Sequence, residues 1–183
     1  MKQLIATFDI ETSGLKPDFG RMLCAVIKPW QGKCKVMRED DYGKVHAENT
    51  PFAKDVIEEL NKYPVLIAHN GRYFDRKFLN TLSIMGGADV VVNPFGKLVD
   101  PVLIARQHSL FSSNRLDALA DRLDTKYRKT RFDGRMWQRA GLGNDKKALD
   151  EIVDHCVKDV KVLEEVTWRL RHFVKSINEW GSA

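Results

Sequence analysis

The sequence predicts a mixed α/β domain in which a three-strand meander opens a sheet that helices then cover. Three observations carry this reading. Three strand-like runs stand at the start, at 2-11, 21-28 and 34-38. Helical and strand patterns then alternate through the middle, and the last third holds almost nothing that resembles a strand. That order suggests a mixed sheet with helices packed against it.

The opening strands are separated by Gly14, Pro17 and Gly20, and then by Pro29 and Gly32, residues that supply turn chemistry. Thr50-Pro51 reads as a helix cap with proline in the first turn, followed by Phe52, Val56, Ile57 and Leu60 at helical spacing until Tyr63-Pro64 stops the helix. Val65-Leu66-Ile67-Ala68 is a continuous apolar run of strand length, as expected of a strand buried on both faces. Phe74, Phe78, Leu79 and Leu82 restore the helical period up to Gly86-Gly87, and Leu98-Val99 forms a fifth strand leading into a helix start at Asp100-Pro101. Leu116, Leu119, Ala120 and Leu123 mark a short helix. A long helix from about Asp145 carries Leu149, Ile152, Val153, Cys156, Val160, Leu163, Leu170, Phe173, Val174 and Ile177.

Length and composition narrow the class. With 183 residues, 43% of them hydrophobic, the chain can bury one core of ordinary size, so residues 1-183 are expected to form a single domain. Thirty Lys and Arg against 25 Asp and Glu give a net charge of +5, which permits a polyanionic partner without demanding one. Cys24, Cys34 and Cys156 are widely spaced and form no CxxC pair, which disfavours a disulfide framework and a zinc site. No run approaches the length of a membrane span. A cytoplasmic protein with no membrane contact is the expectation.

The chemistry concentrates in acids. Asp9 and Glu11 end the apolar run Leu4-Ile5-Ala6-Thr7-Phe8. Residues two apart on a strand share a face, so their carboxylates project side by side, and a hard divalent cation such as Mg²⁺ or Mn²⁺ would relieve their repulsion. A strand end opening to solvent, with both acids hydrated, is the competing account. Asp75 stands in the first turn of its helix, where the helix dipole alone could account for it. Asp159 lies at the edge of the face of the long helix that should pack on the sheet. His155 precedes it by one turn on the same side, within reach of a shared ligand.

Three segments taken together say more. Asp9-Ile10-Glu11-Thr12-Ser13-Gly14-Leu15, Ala68-His69-Asn70-Gly71-Arg72-Tyr73-Phe74-Asp75 and His155-Cys156-Val157-Lys158-Asp159-Val160 resemble, in this order, the three exonuclease motifs of the DEDD superfamily. That superfamily includes DNA polymerase proofreading domains, ribonuclease D and oligoribonuclease. The resemblance runs from residue 4 to about 165. It implies a ribonuclease H-like fold, a mixed sheet of an antiparallel meander plus parallel strands, and 3′ to 5′ exonuclease activity that releases nucleoside 5′-monophosphates. It implies two divalent metal ions, with Asp9, Glu11 and Asp159 as direct ligands of one. Asp9 would bridge to the second, which Asp75 would help to hold. His155 would be the general base, Thr12 and Leu15 would contact the terminal nucleotide, and Asn70 and Phe74 would shape its pocket. The third motif departs from the family pattern. Members carry Tyr four residues before the last Asp or His five before it, whereas here His stands four before.

Residues 126-139 hold six basic residues, one acid and three aromatics without a helical or strand period. Cations interleaved with rings suit single-stranded nucleic acid, with Lys129 and Arg131 on phosphates and Trp137 among the stacking candidates. A solvated loop whose aromatics pack inward fits equally well. The resemblance implies single-stranded DNA 3′ ends and replication or repair proteins as partners, with the chain itself expected to be a monomer. It leaves open an RNA substrate, a structure-selective endonuclease of the same fold with a similar acid constellation, and a weakly active nucleic-acid-binding subunit. A haloacid-dehalogenase-type phosphatase is disfavoured, since its nucleophilic motif needs a second Asp where Glu11 stands.

Overall fold

The computed structural model describes residues 4–43, 49–93, 96–127, 134–142 and 145–174. Strands β1 (Ile5–Thr12), β2 (Met22–Pro29) and β3 (Lys35–Arg38) form the antiparallel meander. Helix α1 (Thr50–Leu60), strand β4 (Val65–Ile67), helix α2 (Asp75–Met85) and strand β5 (Lys97–Val99) follow. Helices α3 (Pro101–His108), α4 (Leu116–Arg122), α5 (Arg135–Gly141) and α6 (Lys146–Leu170) complete the chain. The five strands make one sheet in the order β3-β2-β1-β4-β5, with β4 and β5 parallel to β1. This is the mixed sheet with flanking helices that the sequence predicts.

Alternation along β1 sorts the layers. Ala6, Phe8 and Ile10 point to one face, where α1 and α2 contribute Phe52, Val56, Leu60, Phe78 and Leu79 to a shared core. The other face is covered by α6. Its C-terminal half packs Val162, Leu163 and Val166 on Ile5, Val65 and Ile67, and its N-terminal half packs Leu149, Ile152 and Cys156 on Leu23, Cys24 and Val26. Among the described residues no helix is long and apolar enough to cross a membrane.

Two details of β1 shape what lies at its C-terminal end. Its pairing with β4 stops at Thr7, so beyond that residue the β4 side of the central strand has no paired strand among the described residues. Its pairing with β2 slips between Glu11 and Thr12, because Glu11 faces Cys24 whereas Thr12 faces Met22, leaving Leu23 as an extra residue on β2. Such bulges bend a strand and re-aim its side chains.

Three local expectations are corrected. The cap of α1 is Asn49, one residue before Thr50. Its side chain does not close its own helix, because Oδ1 accepts the Met22 N–H at 2.6 Å and ties the helix start to β2. The long helix stops at Leu170 and gives way to a single 3₁₀ turn (Arg171–Phe173), with Ile177 outside the described residues. The segment 126-139, which shows no period in the sequence, includes the first five residues of α5, whose Met136, Trp137 and Ala140 turn toward the α6 core.

Candidate active site

Asp9 and Glu11 stand opposite Val26 and Cys24 of β2, on the face covered by α6. On α6, His155 and Asp159 fall in the stripe Ala148, Ile152, Leu163, Val166 that faces the sheet, and both are buried. Polar groups are seldom found at such positions unless they are paired or engaged in chemistry. Sheet and helix thereby bring two pairs of groups together. His155 Nε2 lies 3.8 Å from Glu11 Oε1 and 3.6 Å from Asp159 Oδ2. These separations exceed hydrogen-bond length, so the three atoms face a common small space. Ligand atoms of Glu11, His155 and Asp159 all fall within 4.8 Å of one another, as do those of Asp9, Glu11 and Cys156. Cys156 Sγ also lies 3.5 Å from both the Asp9 carbonyl and Asp9 Oδ2. Burial pushes the Cys156 thiol well above its ordinary pKa, and Cys24 beside it adds to the effect. It therefore stays a neutral filler, not a nucleophile.

Asp75 is the first residue of α2 and is buried. Its Oδ1 accepts the Ile10 N–H at 3.3 Å, substituting for the strand that β4 does not supply beyond Thr7. Burial raises its pKa to about 7, against the pull of hydrogen bonds from its own and the Ile10 backbone amides, and the nearby Asp100 carboxylate raises it further. Asp100 caps α3, as the sequence predicts, by accepting the Val102 N–H at 3.1 Å. The same Oδ1 also accepts the Asn70 N–H at 3.0 Å, which the sequence did not signal. Asn70 has φ 63°, a left-handed conformation that asparagine tolerates better than most residues, so Asp100 braces the tight turn leading into α2. Burial pushes the Asp100 carboxyl up as well.

The remaining predicted contact residues have separate surroundings. Thr12 turns its hydroxyl to the Gly14 carbonyl at 2.8 Å. Leu15 is strongly exposed on the loop after β1. Phe74 packs at 5.7 Å on Phe78. Lys129 and Arg131 lie outside the described residues. Trp137, expected from sequence as a stacking face, sends its indole N–H to Glu11 Oε2 at 2.7 Å and meets the His155 ring edge-on at 5.8 Å. Its partner lies far away in sequence, and no spacing rule could have found it.

Glu11 and Asp159 with one imidazole form a mostly oxygen donor set that suits a hard divalent ion, and Asp9 joins Glu11 in a second group that includes the Cys156 thiol. Acids clustered at the carboxyl end of a central strand of an α/β sheet make a candidate metal site. The chain belongs to the RNase H superfamily, whose family model matches residues 6–171. It is 28% identical over 143 residues to a DNA polymerase III PolC-type of Ureaplasma parvum serovar 3, an alignment that covers 66% of this chain and 10% of that protein. Its fold is similar to that of the family B DNA polymerase from the hyperthermophilic archaeon Pyrobaculum calidifontis. That similarity has a TM-score of 0.73 and 17% identity, and covers 92% of this chain and 24% of that one. The chain thus spans a small part of each relative. Membership of the superfamily supports a nuclease-type function.

Proposed function

We propose that the chain is a metal-dependent 3′ to 5′ exonuclease acting on single-stranded DNA or frayed 3′ ends, and that it works in the cytoplasm beside replication or repair proteins. The observation that carries this reading is the meeting of Glu11 of β1 with the buried His155 and Asp159 of α6 in one small space, with Asp9 beside Glu11 in an adjoining group. Similarity to two DNA polymerases supports a DNA substrate.

In this reading Asp9, Glu11, Asp159 and Asp75 would hold the divalent ions, which when bound would supply a lowered pKa for an attacking water and stabilisation of the leaving 3′ oxygen. His155 takes the proton of that water at Nε2, the nitrogen that faces Glu11 and Asp159. Water adds to the terminal phosphorus, the bond from phosphorus to the 3′ oxygen breaks, and that oxygen takes a proton from solvent. The products are a nucleoside 5′-monophosphate and a strand one residue shorter with a free 3′ hydroxyl. In this reading Thr12 and the exposed Leu15 contact the terminal nucleotide, and Asn70 and Phe74 shape its pocket.

A time course on 3′- and 5′-labelled DNA and RNA oligonucleotides with Mg²⁺ or Mn²⁺ tests the reading. The expected result is a ladder shortening from the 3′ end, abolished by Asp9→Ala. A single internal cut, or cleavage of a circular substrate, points instead to an endonuclease, and binding without hydrolysis in Mn²⁺ to an inactive subunit. As general base, His155 should confer activity that rises with pH through the imidazole range, and His155→Ala should lower turnover about 10²–10⁴-fold. A pH profile unchanged by that substitution removes His155 from the role.

A further inference from the structure

We propose that Trp137 is a positioning residue for Glu11, holding one carboxylate oxygen so that the other is presented to the metal site. The inference rests on Glu11 being a metal ligand.

Three features of α5 converge on this role. The indole Nε1–H donates to Glu11 Oε2 at 2.7 Å, a charge-assisted bond from a group that can donate but not accept. With Oε2 held, Oε1 is the oxygen that lies 3.8 Å from His155 Nε2, in a residue grouped with His155 and Asp159. The two oxygens of one carboxylate thus have different partners, and rotation of Glu11 about its last torsion would break both sets of contacts. The same indole meets His155 at an interplanar angle of 88°, so one ring restrains the ligand and the imidazole together.

The seating of α5 supports this assignment. Met136, Trp137 and Ala140 pack with Leu149, Ile152 and Cys156 of the α6 core. At the other end of α5, a Cβ added to Gly141 would come within 2.4 Å of the Ser13 Cβ. The helix is therefore fixed against both the turn after β1 and the helix that carries His155. A ring presented to solvent for base stacking would have no need of this two-sided seat. Groups that orient a metal ligand in this way typically change metal affinity by about 10–100-fold when lost.

The test is a calorimetric titration of Mn²⁺ into the full chain without nucleic acid, with steady-state kinetics on a single-stranded oligonucleotide at saturating Mn²⁺. Trp137→Phe keeps a ring in the core and removes the donor. It should weaken Mn²⁺ binding about 10–100-fold and leave KM for the oligonucleotide within about twofold. Unchanged Mn²⁺ affinity overturns the inference, and a raised KM alongside it assigns Trp137 to base stacking. If Asp9→Ala removes Mn²⁺ binding and Trp137→Phe does not, the inference fails while the metal reading stands; if neither substitution alters it, both fail. A second measurement needs no variant. In protein labelled with ¹⁵N-tryptophan, Mn²⁺ should broaden one of the four indole N–H signals far more than the others. Uniform broadening overturns the assignment.

Discussion

Two groups of acids flank the carboxyl end of β1, and they are stabilised in different ways. Asp9, Glu11 and Asp159 converge on the α6 side, where the partners on hand are side chains: an indole N–H, an imidazole and a thiol. Asp75 and Asp100 sit on the α2 side, buried, with backbone amides of Ile10, Asn70 and Val102 as donors. Backbone amides come with the fold and cannot leave, so the second group keeps these donors with or without a ligand, while Asp100 Oδ2 is buried without a hydrogen-bond partner among the described residues. The first group brings carboxylates within a few ångströms of one another and gains most from an added cation. The α6 side therefore depends more on an ion, and the α2 side more on the backbone.

The sharpest test of this contrast is Asp159→Asn, which keeps the shape of the side chain and removes its charge. Turnover should fall by several kcal/mol of transition-state stabilisation, or about a thousandfold. The melting temperature in chelator should hold or rise, because one of the crowded charges is gone. A large loss of stability in chelator would make Asp159 structural and break the contrast.

A smaller effect concerns pH. The pKa of Asp75, raised to about 7 by burial, exceeds the ordinary aspartate value of about 3.9, so the fold favours its protonated form. That contribution to stability is present in full below the ordinary value and is lost as pH rises through the folded one. In chelator, the melting temperature of the wild type should therefore fall more than that of Asp75→Asn between about pH 5 and pH 8. Equal slopes would show that the α2 side carries no buried proton.

The smallest expected effect belongs to Asp100. Asp100→Ala removes the α3 cap and the brace on Asn70 at once, a cost of about 0.5–2 kcal/mol for the cap alone. Thermal melts should show the loss, whereas Asp100→Asn, which retains an acceptor, should lose less. If both variants melt like the wild type, the amides do not complete this group.

How much of this was legible in the sequence follows the range of the interactions. The meander, the buried β4 and the α6 stripe rest on local periodicity; β2, β3 and β4 stand within a residue of where the sequence puts them, whereas α6 ends at Leu170, short of Ile177. Asp9, Glu11, His155 and Asp159 could be singled out because acids and a ring interrupt apolar patterns whose direction is known. What stayed hidden depends on partners distant in the chain. Helix α5 has seven residues, too few for a periodic signal, and is held by Ser13 and α6 instead of by its own propensity. The side chain of Asn49 is committed to β2, so a rule that looks for caps within a helix chooses Thr50. Asp100 reads correctly as a cap, but its second bond to Asn70 comes from the fold.

The acceptor for the Ile10 amide has a consequence for the dynamics of the central strand. Elsewhere in β1 an amide is protected by a neighbouring strand, and its exchange with deuterium reports opening of the sheet. At Ile10 the acceptor is the side chain of the first residue of α2, so this amide can exchange when α2 lifts by a fraction of a turn, with the sheet intact. One backbone position in the middle of the molecule thus records the docking of a surface helix, on a timescale separate from that of its neighbours.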